Sequence, residues 1–124
     1  MLILSFKILY LTRDLTATGA PTNVAYDGVG FRPRLIVFTV GAGTDLVYWS
    51  IGSATANLEM GCTYGVGDST TISRTTYCIA VQTTNEVTGQ SATLVSMDAD
   101  GFTLAWTKWG TPTAAARIIA TCYR

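Results

Sequence analysis

The sequence predicts an all-β protein, a single-domain antiparallel β-sandwich of jelly-roll-like type with about eight or nine strands. Two observations carry this prediction. Segments rich in apolar and β-branched residues, many with period-two alternation, recur along the chain, and Gly, Pro, Asn and Asp separate them. No segment places apolar residues at the helical spacing i, i+3, i+4 and i+7 between a cap and a stop. At 124 residues the chain suits one core, so we predict a single domain spanning residues 1–124.

The first predicted strand lies in "MLILSFKILYL". Its even-numbered residues from Leu2 to Tyr10 form one apolar face, and Leu9 and Leu11 make the other face apolar too. The stretch is shorter than the ~20 residues that span a bilayer. Lys7 interrupts it and no small-residue cleavage site follows, so a strand is predicted rather than a membrane span or a signal peptide. A strand that is apolar on both faces requires cover, by packing across subunits or by β-addition to a partner sheet.

The later strands follow in order, with turn residues between them. The predicted ranges are 23–31, 34–40, 45–54, 56–65, 74–83, 91–99, 101–109 and 115–124, and a polar loop is predicted at 66–73. The run "RLIVFTV", 34–40, is apolar after its first residue, which predicts a strand buried on both faces. The turn at 98–101 predicts a hairpin whose inner face carries Phe102, Leu104 and Trp106. Trp49 is predicted to lie in the core as well.

The composition points to association with other proteins. Only 13% of the residues are charged, about half the usual fraction. The eight basic and eight acidic residues give a formal net charge of zero, which favours association over repulsion. There is no basic excess to attract phosphate, so nucleic acid is not expected as a partner, and neither is a membrane. A weakly charged surface on a small domain predicts that a partner covers part of it.

Catalytic, metal and cofactor sites are not predicted. The sequence has no histidine to exchange protons near neutral pH or to complete a zinc site, and its carboxylates are scattered. Asp98 and Asp100 are close together, but turn chemistry explains them better than calcium binding or glycoside hydrolysis. The three cysteines, Cys62, Cys78 and Cys122, cannot all pair within one chain. We expect free, buried thiols, and one intramolecular disulfide stays open as the alternative.

Two Gly-Phe pairs introduce strands, at "GVGFRPRLIVF" and at "DGFTLAW". Each is explained as a corner at which the chain enters the sandwich, since glycine permits a tight turn and the Phe side chain then enters the core. Together with the strand around Trp49 and the terminal "IIATCYR", they resemble small β-sandwich proteins of tailed-bacteriophage virions. In that group a GF-x-P-[KR]-aliphatic-F strand precedes a late DGF-x-L-x-W strand. The arrangement is also similar to the H-type lectin sandwich.

This resemblance implies a non-enzymatic structural virion protein, most simply a capsid cement (decoration) protein. Such a protein would form a homotrimer and bind the major capsid protein or another virion protein on the outer surface of the shell, after assembly in the host cytoplasm. The alternative is a tail-fibre or tail-tip module that binds host carbohydrate or a receptor, with Tyr64 and Trp109 as its candidate aromatic residues. A small hydrolase is the least favoured interpretation.

Candidate interface residues are chosen for their chemistry and position. Aromatic residues and Arg are enriched in binding hot spots. Arg32 and Arg34 bracket Pro33 at the mouth of a strand, and they either point to solvent or pair with an acidic residue of another subunit. Trp109 faces opposite to Trp106 and ends its strand. The predicted interface residues are Arg32, Arg34, Trp109, Tyr123, Leu9 and Leu11.

Overall fold

A computed structural model describes residues 5–17, 22–42, 48–65, 72–84 and 88–124. These residues form ten strands in two antiparallel sheets, which confirms the predicted all-β sandwich. The strands are β1 (Phe6–Asp14), β2 (Thr22–Asp27), β3 (Leu35–Ala42), β4 (Tyr48–Thr55), β5 (Glu59–Gly65), β6 (Ile72–Arg74), β7 (Ile79–Thr84), β8 (Thr88–Asp98), β9 (Gly101–Trp109) and β10 (Ala115–Tyr123).

The two sheets differ in size. The larger has six strands in the order β1-β10-β3-β4-β5-β6, and the smaller has four in the order β2-β9-β8-β7. The first strand pairs with the last, and the second pairs with the last but one in the other sheet. This wrapping of the two ends of the chain gives the sandwich its jelly-roll character. Between these pairs, β3 to β6 and β7 to β9 follow one another as hairpins.

The core lies between the sheets and is built around aromatic contacts. Phe102 meets the ring of Phe38 edge-on, with ring centroids 5.7 Å apart, and stacks against Tyr26 at 5.3 Å. Trp106 is buried, and its indole N–H donates to the Tyr26 hydroxyl at 2.9 Å. The prediction that Phe102, Leu104 and Trp106 share an inner face is confirmed, because all three are buried.

The prediction that the 34–40 run is buried on both faces is wrong for the isolated chain. In β3 the even-numbered residues, such as Ile36 and Phe38, are buried, whereas Leu35 and Val37 are half-buried and Thr39 is exposed. The smaller sheet covers one side of the larger sheet, and the other side of β3 is left open within the described residues. Trp49 lies on the same open side, 37% exposed, so its predicted place in the core is wrong too.

A close approach between the sheets changes the strand boundaries around Cys78. The structure has a short strand, β6, that begins at Ile72 in the predicted loop 66–73 and ends at Arg74, and β7 begins only at Ile79. Residues before β7 pack directly onto paired glycines of β4 and β5: the backbone of Cys78 lies against Gly52, and the ring of Tyr77 lies over Gly61. Side chains at these two positions would hold the segment away.

The two Gly-Phe motifs meet in space, although they lie some seventy residues apart in the chain. Asp27 of β2 pairs with Gly101 of β9. The Asp100 carboxylate accepts hydrogen bonds from the N–H groups of Gly28 (3.2 Å) and Gly30 (2.5 Å). Both glycines have positive φ, 93° and 85°, a conformation that other residues rarely adopt. The motifs therefore form one corner of the sandwich.

Gly52→Ala tests the close approach. A Cβ at residue 52 would lie 1.8 Å from the Cys78 carbonyl oxygen, so the sheets must separate and the free energy of unfolding should fall by about 2 kcal/mol or more. Gly41→Ala is the matched control, because its nearest atom lies 4.0 Å away, and we expect a change within about 0.5 kcal/mol. Urea unfolding of both variants measures the difference, and equal midpoints would contradict the packing.

Candidate interaction surface

The open side of the six-stranded sheet collects the outward-facing residues of five strands. Outward side chains are the even-numbered residues in β1, Met60 and Cys62 in β5, and the odd-numbered residues in β10, β3 and β4. The strand register aligns them in rows across the sheet. One row contains Tyr10, Ile119, Thr39, Ile51 and Cys62. We call this side of the sheet the outer face.

The outer face is unusually apolar. Among the described residues, nine large apolar side chains are exposed, and seven of them lie here. The seven are Phe6, Ile8, Tyr10, Trp49, Ile51, Met60 and Ile119. With Tyr10 79% and Phe6 57% exposed, they present roughly 700 Å² of accessible surface, estimated from typical side-chain areas. The largest apolar patch on an ordinary monomer is about 300–600 Å², and larger patches mark interaction sites.

Charge on the outer face is confined to one end. On the outward positions of β1, β10, β3, β4 and β5, the charged residues are Asp14 and Arg117, near the same end of the sheet. The other polar residues there are mainly threonines and serines. A face of this kind is better suited to bind another protein than an ion or a nucleic acid, because binding an ion or a nucleic acid requires charged side chains.

The outward side of the smaller sheet is different. Its central strands carry short side chains there, including Ser91, Thr93, Ala105 and Thr107. Val95 is the one large exposed apolar side chain among the described residues of that sheet, and it lies at an irregularity in the β8·β9 pairing. The two sheets therefore present surfaces of different chemistry, and the larger one is the candidate site.

The predicted interface residues fall in different places. Tyr123 lies half-buried on the outer face, with its ring centroid 6.3 Å from that of Phe6. Arg34 is exposed, and its backbone N–H donates to the Tyr123 carbonyl at 2.8 Å, so it lies at the edge of the face. Arg32 is exposed two residues earlier in the chain, and its positive charge adds to the hydrogen bonds from Ser96 and Thr103 that lower the pKa of the Asp98 carboxyl.

The other predicted interface residues point elsewhere. Leu9 and Leu11 face inward and pack against the core, so the exposed apolar residues of β1 are their even-numbered neighbours. Trp109 lies on the outward side of the smaller sheet, half-buried against Gly89. The side chain of Tyr64 lies outside the described part of the structure.

Sequence reasoning missed Ile51, Met60 and Ile119 as candidate interface residues. The signal for these residues in the sequence is the alternation of apolar residues along their strands. Apolar residues occupy the odd-numbered positions 35, 37, 49, 51 and 119, where a solvated face would carry polar residues. The sequence does not say, however, which apolar face meets the second sheet.

Strand β1 lies at the edge of the larger sheet, and its charges discourage strand addition there. Lys7 is exposed on the inward-facing row of this edge, a common device against edge-to-edge pairing. Arg13, in the same row, donates from Nε to Gln90 Oε1 at 2.9 Å and lies 5.0 Å from the Trp106 ring centroid. Gln90 in turn donates to the Leu15 carbonyl at 2.9 Å, which fixes the end of β1. Face packing therefore suits this strand better than β-addition.

The acidic turn at 98–101 is occupied by local hydrogen bonds. Asp98 accepts from the hydroxyls of Ser96 (2.6 Å) and Thr103 (2.7 Å), and these bonds lower the pKa of its carboxyl. Asp100 binds the Gly28–Gly30 corner. Among the described residues, no group of three or more His, Cys, Asp or Glu side chains is placed to hold a metal ion. The same part of the chain contains no helix that is long and apolar enough to cross a membrane.

Comparisons of the chain with protein-family models, with curated proteins and with solved structures found no match.

All three cysteines are free thiols, in different environments. Cys78 and Cys122 are buried, whereas Cys62 is half-buried on the outer face, which corrects the expectation that all three are buried. Burial raises the pKa of the Cys78 thiol far above its usual value and that of Cys122 to about 11. Neither buried thiol is an activated nucleophile.

Thiol titration tests this placement. A thiol reagent added to the folded protein should modify Cys62 quickly and the two buried cysteines only as fast as the chain unfolds. Mass spectrometry should show one modification in buffer and three in denaturant, and Cys62→Ser should remove the fast reaction. Fast modification of Cys78 or Cys122 in the folded protein would contradict the core described above.

The buried thiols also predict alkaline sensitivity. Because the pKa of Cys122 is raised in the folded state, the folded chain holds this proton more tightly than the unfolded chain does. The stabilisation is complete below the unfolded pKa near 9 and is lost as the pH rises toward about 11. Urea midpoints should fall over this range, and the fall should be smaller in Cys122→Ala. An identical slope in that variant would count against the raised pKa.

Proposed function

We propose that this chain is a non-enzymatic structural protein of a bacteriophage virion. In this proposal it is a cement protein that stabilises the shell through homotrimeric contacts and contacts with the major capsid protein. The observation that carries the proposal is the outer face, whose exposed Phe6, Tyr10, Ile51 and other apolar side chains require cover. The Gly-Phe strand order, which resembles that of small phage virion β-sandwiches, supports the particle as the setting.

The mechanism of such a protein is burial rather than chemistry. A contact that covers about 800 Å² on each partner is of the size of ordinary stable interfaces, and the outer face approaches this area. The binding free energy of each contact is only what remains after the entropy cost of association. Symmetric repetition over a shell then multiplies modest contacts into a large effect on the whole particle.

The alternative, a carbohydrate- or receptor-binding module, draws less support from the described residues. Such a site requires aromatic side chains at loop tips or in a cleft with convergent polar groups. The exposed aromatics Phe6, Tyr10 and Trp49 instead lie on strands of one sheet face, and Trp109 packs against Gly89. An array of glycans that gives a signal with folded protein would reverse this preference.

Heat challenge of particles assembled with and without the protein tests the cement role. Particles that carry it should survive to a higher temperature or a stronger osmotic shock. Ile51→Lys should abolish the protection, because it places a charge in the middle of the outer face. Val95→Lys is the matched control and should protect normally, since Val95 is exposed to almost the same fraction (49% against 51%) on the other sheet. Equal survival with and without wild-type protein would refute the proposal.

A further inference from the structure

The outer face is not flat, because its large exposed side chains lie in two separate groups. Phe6, Ile8 and Tyr10 of β1 project beside Ile119 of β10, and we call these four residues the β1 ridge. Beyond β3 on the same face, Trp49 and Ile51 of β4 project beside Met60 of β5. These three residues are the β4 ridge.

Between the ridges runs a groove along β3. Beyond Leu35 at the start of the strand, its outward positions are Val37, Thr39 and Gly41, flanked by Thr121 of β10 and Ser53 of β4. These side chains are short, and Gly41 has none. Ile119 and Ile51 flank Thr39 in one row, two strand spacings apart, which is about 10 Å between backbones. A groove of this width accepts one row of projecting side chains from a second surface.

We propose that the occupant of this groove is the β1 ridge of another copy of this chain. The same face offers both the ridge and the groove that fits it, so no second apolar surface is required. The fit pairs two copies face to face rather than in a closed trimer, and it rests on the proposed function for its setting in the particle.

Area and charge support another copy as the occupant. Roughly 700 Å² of exposed apolar side-chain surface on each copy approaches the ~800 Å² per partner of a stable interface. The chain has a formal net charge of zero, so copies do not repel at long range. The charged residues Asp14 and Arg117 lie at one end of the face, where contact with solvent can be kept when the centre is covered. A strongly charged partner would find no complementary charge in the groove.

Cysteine cross-linking tests the arrangement. In a Cys62→Ser background, Ile8→Cys marks the β1 ridge and Ser53→Cys marks the groove, while the remaining cysteines are buried. A disulfide within one copy is excluded, because Ile8 and Ser53 lie three strand spacings apart, about 14 Å against a limit of about 7 Å between Cα atoms. Mild oxidation of the variant with both cysteines should give covalent oligomers, and each single-cysteine variant should stay largely uncoupled.

The controls separate this inference from the cement role. Val95→Cys combined with Ser53→Cys should not cross-link, since Val95 lies on the other sheet. Wild-type protein in isolation should show an oligomeric mass by light scattering, and Ile119→Lys should shift it to the monomer mass with an unchanged circular dichroism spectrum. A monomeric wild type over a concentration series, or self-coupling of Ile8→Cys alone, would overturn the ridge-in-groove contact. The heat challenge of particles is scored separately, so a monomer that still protects particles would sink this inference alone.

Discussion

The structure depends on the difference in size between its two sheets. A six-stranded sheet has two faces, and a four-stranded sheet can cover only one of them. The inner face is paired with the smaller sheet through Phe38, Phe102 and Trp106, and that contact forms the core. The outer face carries side chains of the same apolar kind without a second layer among the described residues. The exposed surface is thus a consequence of the architecture and not a scatter of single residues.

The sandwich is closed on two sides by different means. At one corner, the Asp100 carboxylate binds the N–H groups of Gly28 and Gly30 and joins the β2–β3 connection to the β8–β9 turn. At the other side, the absence of side chains at Gly52 and Gly61 lets Tyr77 and Cys78 lie against β4 and β5. Backbone hydrogen bonds to a charged acceptor and direct backbone contact both hold the sheets in a fixed relation. A fixed relation is what makes the outer face a rigid surface.

The rigidity of the outer face affects the binding free energy that it can provide. A preformed sheet face loses little conformational entropy on association, so a larger part of its buried area is retained as binding free energy. Arg13 and Gln90 anchor the end of β1 to the core, which holds the exposed edge-strand residues in register with β10. The β1 ridge is therefore part of a supported sheet and not a loose arm. Its function in the proposals above is contact, which requires no titrating group.

The sequence by itself determined the class of fold and the pattern of its inner face. Alternation in residues 101–109 predicted the burial of Phe102, Leu104 and Trp106, because in a strand every second side chain shares a side. The Gly-Phe positions predict corners for a different local reason, because glycine permits turns that other residues resist. The low charge also predicted a surface that a partner covers, which stays a prediction.

Only the tertiary structure decided which apolar residues are exposed. Leu9 and Tyr10 are neighbours in one strand, and the sequence does not say which of the two faces the second sheet. The same ambiguity placed Trp49 in the core and led to the choice of Leu9 and Leu11 as contact residues, whereas Phe6, Ile8 and Tyr10 are the exposed ones. The physical reason is that strand periodicity defines two faces, but sheet pairing and packing over long range decide which of them is buried.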